Sequence, residues 1–436
     1  MKNIFFLFFT LLAFSPVIFS QDFNQQNDTA AKLFDTYFIS KTLRVDFFLA
    51  GDNKEQTIYL NEMKQEPNWG GPHKNLIDPF NYGTYRYQVF DSLTGKLIFS
   101  RGFSTLFQEW KGTAEAAKIK KAFAQTAIMP FPKNTIRFVI SERVFADGKF
   151  YNRFEIFVNP KDYFINREKP FPCPYIKFRN SGDPSQKVDV AFIAEGYTEE
   201  EMSKFLADAQ SITDYFLTTS PYSEFRNRFN FYAILSSSNE SGVDIPGKNQ
   251  YSNTNINSSF YTFDMDRYMT SFDTRSIYNI AANVPYDAII ILVNSNLYGG
   301  GGFFNHYAEC TADHFWSKVV AVHEFGHSFA GLADEYVGNV SYSDSYNLKV
   351  EPWESNITTN VDFNSKWKNM ISKDTPVPTP RTEEYQSSVG MFEGGGYMEK
   401  GIYSPFENCR MKATDAPSFC PVCQQAIRRM ILFYCD

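Results

Sequence analysis

Beyond its first 20 residues the chain has no stretch approaching 18 apolar residues, which excludes a membrane-spanning helix from the mature part. It has no surplus of positive charge. Lys and Arg number 42 against 49 Asp and Glu, for a net charge of −7. This balance excludes nucleic acid or an anionic membrane as the main partner. There is no internal repeat and no low-complexity tract. With 21% charged and 43% hydrophobic residues, the composition is neither disordered nor collagenous. The glycine run Gly299–Gly302 is followed by no Lys-Ser/Thr, so it is not a phosphate loop. It reads as a rim over a cleft, a strand edge onto which a peptide adds, or a plain loop. Histidine is scarce, at five residues in 436, so the placement of those five carries information. Aromatic residues, in contrast, are abundant at 17% and spread through both halves, as strand cores require.

A chain of 436 residues is expected to form two or three domains. Residues 1–20 read as a secretory signal peptide: Lys2, the apolar run Ile4–Phe14, Pro16, and a small Ser20 before Gln21. The mature protein is therefore expected to be exported, as a periplasmic, cell-surface or extracellular protein. Residues 21–180 are expected to form an N-terminal antiparallel β-sandwich. Thr42–Ala50, Tyr85–Phe90, Lys96–Gly102, Thr135–Ser141 and Lys149–Val158 are short, aromatic and β-branched, with turns such as Asp147–Gly148 between them. The one helical-looking insert is Ala114–Gln125. His73, alone in a glycine-proline loop, reads as a surface residue. Asn180–Lys187 is polar and turn-rich, a linker to a second domain over residues 186–436. There, strands at Val188–Ala194, Phe229–Leu235 and Asp287–Asn294 alternate with helical periodicity at Thr198–Phe216, which predicts an α/β layer with a partly parallel sheet. Pro417–Tyr434 reads as a closing amphipathic helix capped by Ser418, with Val422, Ala426, Ile427, Met430 and Ile431 on its apolar face.

Four of the six cysteines, Cys409, Cys420, Cys423 and Cys435, fall within the last 28 residues. In an exported chain they are expected to form at least one disulfide, with free thiols or a second zinc site through the Cys420–Cys423 pair as the alternatives. Two of the five histidines lie in His323-Glu324-Phe325-Gly326-His327. On a helix, residues four apart lie about 40° apart on one face, so the two imidazoles can share one Zn²⁺. Glu324 lies about 100° round, within reach of a metal-bound water whose proton it can take. Gly331 is a natural helix stop, after which the chain doubles back. Asp334 is thereby the expected third ligand. Glu335 is the alternative, followed by His306, His314 or a more distant Glu.

The run His323–Tyr336, HEFGHSFAGLADEY, resembles the active-site signature of peptidase family M64, the IgA-peptidase-like secreted metallopeptidases. The resemblance extends over Ala194–Tyr197, Ser241–Asp244, Val293-Asn294 with Tyr298–Gly301, Gly394–Tyr397, Gly401–Tyr403 and Asn408–Met411. It implies a metzincin-like zincin catalytic domain behind the β-rich first half. Metzincins carry a methionine turn beneath the metal, for which Met411 is the match. The chain departs from their pattern in having four residues from His327 to Gly331 and an acid as third ligand. Tyr403, or else Tyr397 or Tyr336, is a candidate hydrogen-bond donor to the oxyanion, as tyrosines are in some zinc proteases.

The resulting expectation is an exported zinc metalloendopeptidase with one Zn²⁺ per chain, acting on proteins or peptides by Glu-assisted attack of zinc-bound water. The rivals are a non-catalytic surface binding protein with a structural metal, and a zinc exopeptidase or amidase acting on cell-wall or small peptides. Glu195 reads as structural.

Overall fold

The alternating apolar positions of the first half fold into two four-stranded sheets. The structure is a computed structural model that describes residues 33–338 and 346–436, so the expected signal segment lies outside the described residues. The first sheet contains β1 (Phe38–Gly51), β2 (Gln56–Glu66), β5 (Lys121–Pro132) and β8 (Ile165–Asn166), in the order β5-β1-β2-β8. The second contains β3 (Tyr85–Asp91), β4 (Leu97–Phe103), β6 (Ile136–Arg143) and β7 (Phe150–Val158), in the order β4-β3-β6-β7. Leu43, Val45, Phe47 and Leu49 alternate along β1 and are all buried. Their partners come from the other sheet: Phe47 meets Phe103 edge-on at 6.4 Å, and the Tyr87 hydroxyl donates to Ile128 O at 2.7 Å. Between β4 and β5 lies one short helix, α1 (Leu106–Trp110).

Ala114–Gln125 is not a helix. Its second half opens β5, and the first half is turns. The alanine-rich stretch has helical propensity, but β5 pairs antiparallel with β1 from Gly51↔Lys121 to Phe38↔Pro132. That ladder outweighs local preference. β2 was not foreseen either, because only Ile58 and Glu66 on it are fully buried and the alternation is weak.

In the second half β9 (Tyr175–Arg179), β10 (Val188–Glu195), β11 (Phe229–Ile234), two-residue β12 (Ser258–Ser259) and β13 (Thr270–Ser271), β14 (Ala288–Val293), β15 (Gly300–Gly302) and β16 (Ala308–Thr311) follow. Six of them form one sheet in the order β15-β16-β14-β10-β11-β9. Its four central strands are parallel, and β9 and β15 are antiparallel edges. β9 precedes the Asn180–Lys187 stretch, yet by pairing it belongs to this second sheet. β17 (Phe392–Gly395) and β18 (Met398–Ser404) make a late hairpin.

Both faces of the six-stranded sheet are covered, so its central strands β10, β11, β14 and β16 are buried along their whole length. Val190, Phe192 and Ala194 of β10 face helices α2 (Met202–Phe216), α4 (Ser317–Ala330) and α5 (Pro421–Cys435). Ala191 and Ile193 face the other way, into a core shared with α3 (Thr274–Ala281) and with the two sheets of the first half. α5 begins at Cys420, with Pro421 in its first turn and no side-chain cap, so Ser418 is not its cap. Its five predicted apolar positions are all buried.

A buried ion cluster sits in this junction. Arg44 on β1 binds Asp46 through both Nε (2.8 Å) and Nη2 (2.7 Å), and reaches Glu66 at 3.3 Å. Its Nη1 also donates to Asn279 Oδ1 of α3 at 2.9 Å, while the Tyr286 hydroxyl donates to Glu66 at 3.2 Å. Removing one partner of a buried pair strands the others and costs about 3–5 kcal/mol. Arg44→Ala is therefore expected to lower stability by about that amount in urea unfolding followed by fluorescence. A change within error would mean that the cluster is not what ties the halves together.

Candidate metal centre

The helix α4 is apolar on the side it turns to the sheet, where Val320, Ala321, Val322, Phe325 and Phe329 are buried. His323, Glu324 and His327 lie on its remaining face, at the edge of a cavity of about 1140 Å³. Two glycines let the helix approach its neighbours closely. A Cβ at Gly302 of β15 would lie 2.5 Å from the Glu324 carbonyl oxygen and 3.0 Å from His327 Cβ. A Cβ at Gly326 would lie 3.0 Å from Met411 Sδ, so the fully buried Met411 packs directly beneath the histidine turn. The Gly299–Gly302 run is thus the edge strand against the helix, and its Gly300 forms a bridge with Tyr268.

α4 ends at Gly331, whose φ of 61° is left-handed, and the chain turns back as expected. The Gly331 N–H donates to His327 O at 3.0 Å and the Leu332 N–H to Gly326 O at 3.2 Å. Three residues on, Asp334 Oδ1 reaches His323 Nε2 at 3.1 Å and His327 Nε2 at 3.4 Å. The two Nε2 atoms are themselves 3.1 Å apart. Asp334 is held from outside: its Oδ2 accepts from the Tyr397 hydroxyl, and its carbonyl accepts from Gly396 N–H at 2.9 Å. Burial works against its charge, but the two imidazoles outweigh burial and keep the carboxyl well below the usual range. Burial pushes Glu324 up, against the opposing pull of the same imidazoles.

The ring tautomers follow from the partners. His323 Nδ1 faces Arg410 O at 2.9 Å, and His327 Nδ1 faces Leu332 O at 2.6 Å. A carbonyl only accepts, so each Nδ1 carries the hydrogen and each ring turns its Nε2 toward Asp334. Two ring nitrogens and a carboxylate oxygen then converge, held together by protons on Nε2 or by a cation that displaces them. Separations of 3.1–3.4 Å are those of the corners of a tetrahedron around an ion with bonds of about 2.0–2.1 Å. The three residues fit a zinc ion, and no fourth His, Cys, Asp or Glu joins them among the described residues.

Other expected residues lie elsewhere. Glu335 turns away from the histidines; its Oε1 accepts from Asn356 Nδ2 at 2.9 Å and lies 3.0 Å from Cys423 Sγ. His306 is buried against the Tyr278 hydroxyl (3.0 Å), where burial lowers its imidazole to about 3. His314 accepts from Trp316 N–H, and His73 stacks on Phe34 at 3.7 Å. Glu195 is buried and accepts from Thr254 Oγ1 (2.6 Å) and from the Ile256 and Ser258 amides. Tyr403 pairs through its backbone with Thr358 and does not line the cavity, whereas Tyr336 and Tyr397 do.

Sequence reasoning missed the opposite wall of the cavity. Thr105, Gln108, Glu109 and Arg143 come from the first half of the chain. Glu109 accepts from the Tyr268 hydroxyl at 2.5 Å, and burial pushes its carboxyl up to about 7. No spacing in the β-rich half marks these residues, because they are brought there by the shared core.

The family model described as IgA Peptidase M64 matches residues 176–385 and 381–431. A second, described as Peptidase M64 N-terminus, matches residues 33–155. No curated protein matches the chain. The first model alone covers more than half of the residues, and the two together take in both walls of the cavity and the convergent histidines, so this chain belongs to the M64 peptidases.

Proposed function

We propose that this protein is an exported zinc metalloendopeptidase that hydrolyses peptide bonds of protein substrates, built as a β-sandwich followed by a metzincin-like domain. The observation that carries the reading is the convergence of His323 Nε2, His327 Nε2 and Asp334 Oδ1 within 3.4 Å of one another. Three protein ligands leave one position open, as hydrolytic zinc sites do, where a structural site is closed by four. Zinc, when bound there, polarises a carbonyl and lowers the pKa of water.

The chain's own residues supply the rest. Glu324 adjoins both histidines in the cavity wall, where it takes a proton from the attacking water and later delivers it to the leaving amine. Its burial suits that exchange, since a raised pKa narrows the gap to both partners. Tyr397 fixes Asp334, and the Arg410 and Leu332 carbonyls fix the rings. Met411 packs beneath as the methionine turn. Tyr336, which lines the cavity, is placed better than Tyr403 to meet an oxyanion. A cavity of about 1140 Å³ with walls from both halves accommodates a peptide segment.

Glu324→Ala is expected to fold and keep its zinc but to lose at least about 100-fold in peptide hydrolysis. Hydrolysis at the parent rate would remove Glu324 from the mechanism. Tyr397→Phe removes the outer bond to Asp334 and is expected to weaken metal retention about 10–100-fold, measured as the chelator concentration that halves activity. An unchanged midpoint would mean that Tyr397 does not steady the ligand.

A further inference from the structure

Behind the histidine centre the carboxylate of Glu335 enters a second cluster. The ligand atoms of Glu335, Cys409, Cys420 and Cys423 all lie within 4.8 Å of one another, and all four residues are buried. Glu335 comes from the turn after α4 and Cys409 from the loop after β18. Cys420 stands at the head of α5, and Cys423 lies within its first turn. The expected disulfide is not formed: all six cysteines are free. Cys409 Sγ and Cys423 Sγ are 3.8 Å apart, far beyond the ~2.05 Å of an S–S bond. That separation is the edge, roughly 3.8 Å, of a tetrahedron with metal–sulfur bonds of about 2.3 Å.

The surroundings suit anionic ligands. The Cys420 N–H donates to Cys409 Sγ at 3.3 Å, and Asn356 Nδ2 donates to Glu335 Oε1 at 2.9 Å. Glu335 Oε2, in contrast, is buried with no hydrogen-bond partner among the described residues. A buried carboxylate oxygen without a donor is costly, and a cation among the three sulfurs would satisfy it.

We propose that Glu335, Cys409, Cys420 and Cys423 form a second zinc site, closed and structural. Four protein ligands leave no open position. Binding releases the three thiol protons to solvent and exchanges no electrons. The site would clamp the turn after α4 to the C-terminal segment. The Glu335 N–H already donates to Met411 O at 2.7 Å, and Cys409 adjoins Arg410, whose carbonyl holds the His323 ring. Asp334 and His323 would thus both be steadied from a metal that touches neither.

The test is zinc stoichiometry together with the kind of ligand, which separates this site from the histidine centre. Purified wild-type protein is expected to carry two zinc ions per chain by elemental mass spectrometry. The variant His323→Ala/His327→Ala should retain one. After Co²⁺ exchange, that variant should show a thiolate-to-cobalt charge-transfer band. Should the double variant not fold, zinc X-ray absorption on the wild type decides: a sulfur shell at about 2.3 Å is expected. Absence of the band, a nitrogen and oxygen shell alone, or an intact mass lower by two hydrogens with the cysteines blocked to alkylation would overturn the proposal. Loss of hydrolysis in the double variant with one zinc retained would leave it standing.

Discussion

Two backbone carbonyls set the chemistry of this protein. By accepting from the Nδ1 atoms of His323 and His327, Arg410 O and Leu332 O turn the Nε2 atoms of both rings toward Asp334. In this arrangement three atoms that can each bind a cation lie 3.1–3.4 Å from one another at the edge of the cavity. Much of the surrounding architecture serves to hold it. The left-handed Gly331 returns the chain to the helix, the Gly396–Tyr397 turn grips Asp334, and Met411 fills the space that Gly326 leaves open. Each of these supports comes from a different part of the chain, so the site exists only when the fold is complete.

The first half of the chain is part of that fold. Its two sheets share a hydrophobic core with one face of the six-stranded sheet, and the Arg44 cluster binds across the junction to Asn279. The helices that carry the metal centre occupy the opposite face. Because helix α1 and its cap Thr105 lie at the cavity, Thr105, Gln108 and Glu109 face the same space as Glu324. What the cleft admits is therefore set by two walls of separate origin.

The histidine motif was legible because its chemistry is local. His323 and His327 are one helical turn apart, and Gly331 with Asp334 follows within seven residues, so the helix and the turn that ends it bring the three side chains close. The strongly alternating strands and the largely apolar β10, β11 and β14 were legible for a similar reason: burial on one or two faces writes itself into the residue pattern. Long-range pairing was not. β5 carries alanines that suit a helix until β1 pairs with it, and β9 sits before an evident linker yet joins the second sheet. The same limit hid the separate destinations of Asp334 and Glu335, adjacent in sequence but turned toward different clusters. It also hid the contribution of Tyr397, which is 63 residues from the aspartate it binds.

The account turns on a cation among His323, His327 and Asp334, with no fourth protein ligand. Crystals grown from protein purified without added chelator, with data collected on either side of the zinc absorption edge, address this directly. The account predicts an anomalous difference peak between the two Nε2 atoms and Asp334 Oδ1, with the remaining side of the ion open to the cavity and Glu324. An absent peak at that position, or an ion closed off by a fourth side chain, would contradict it.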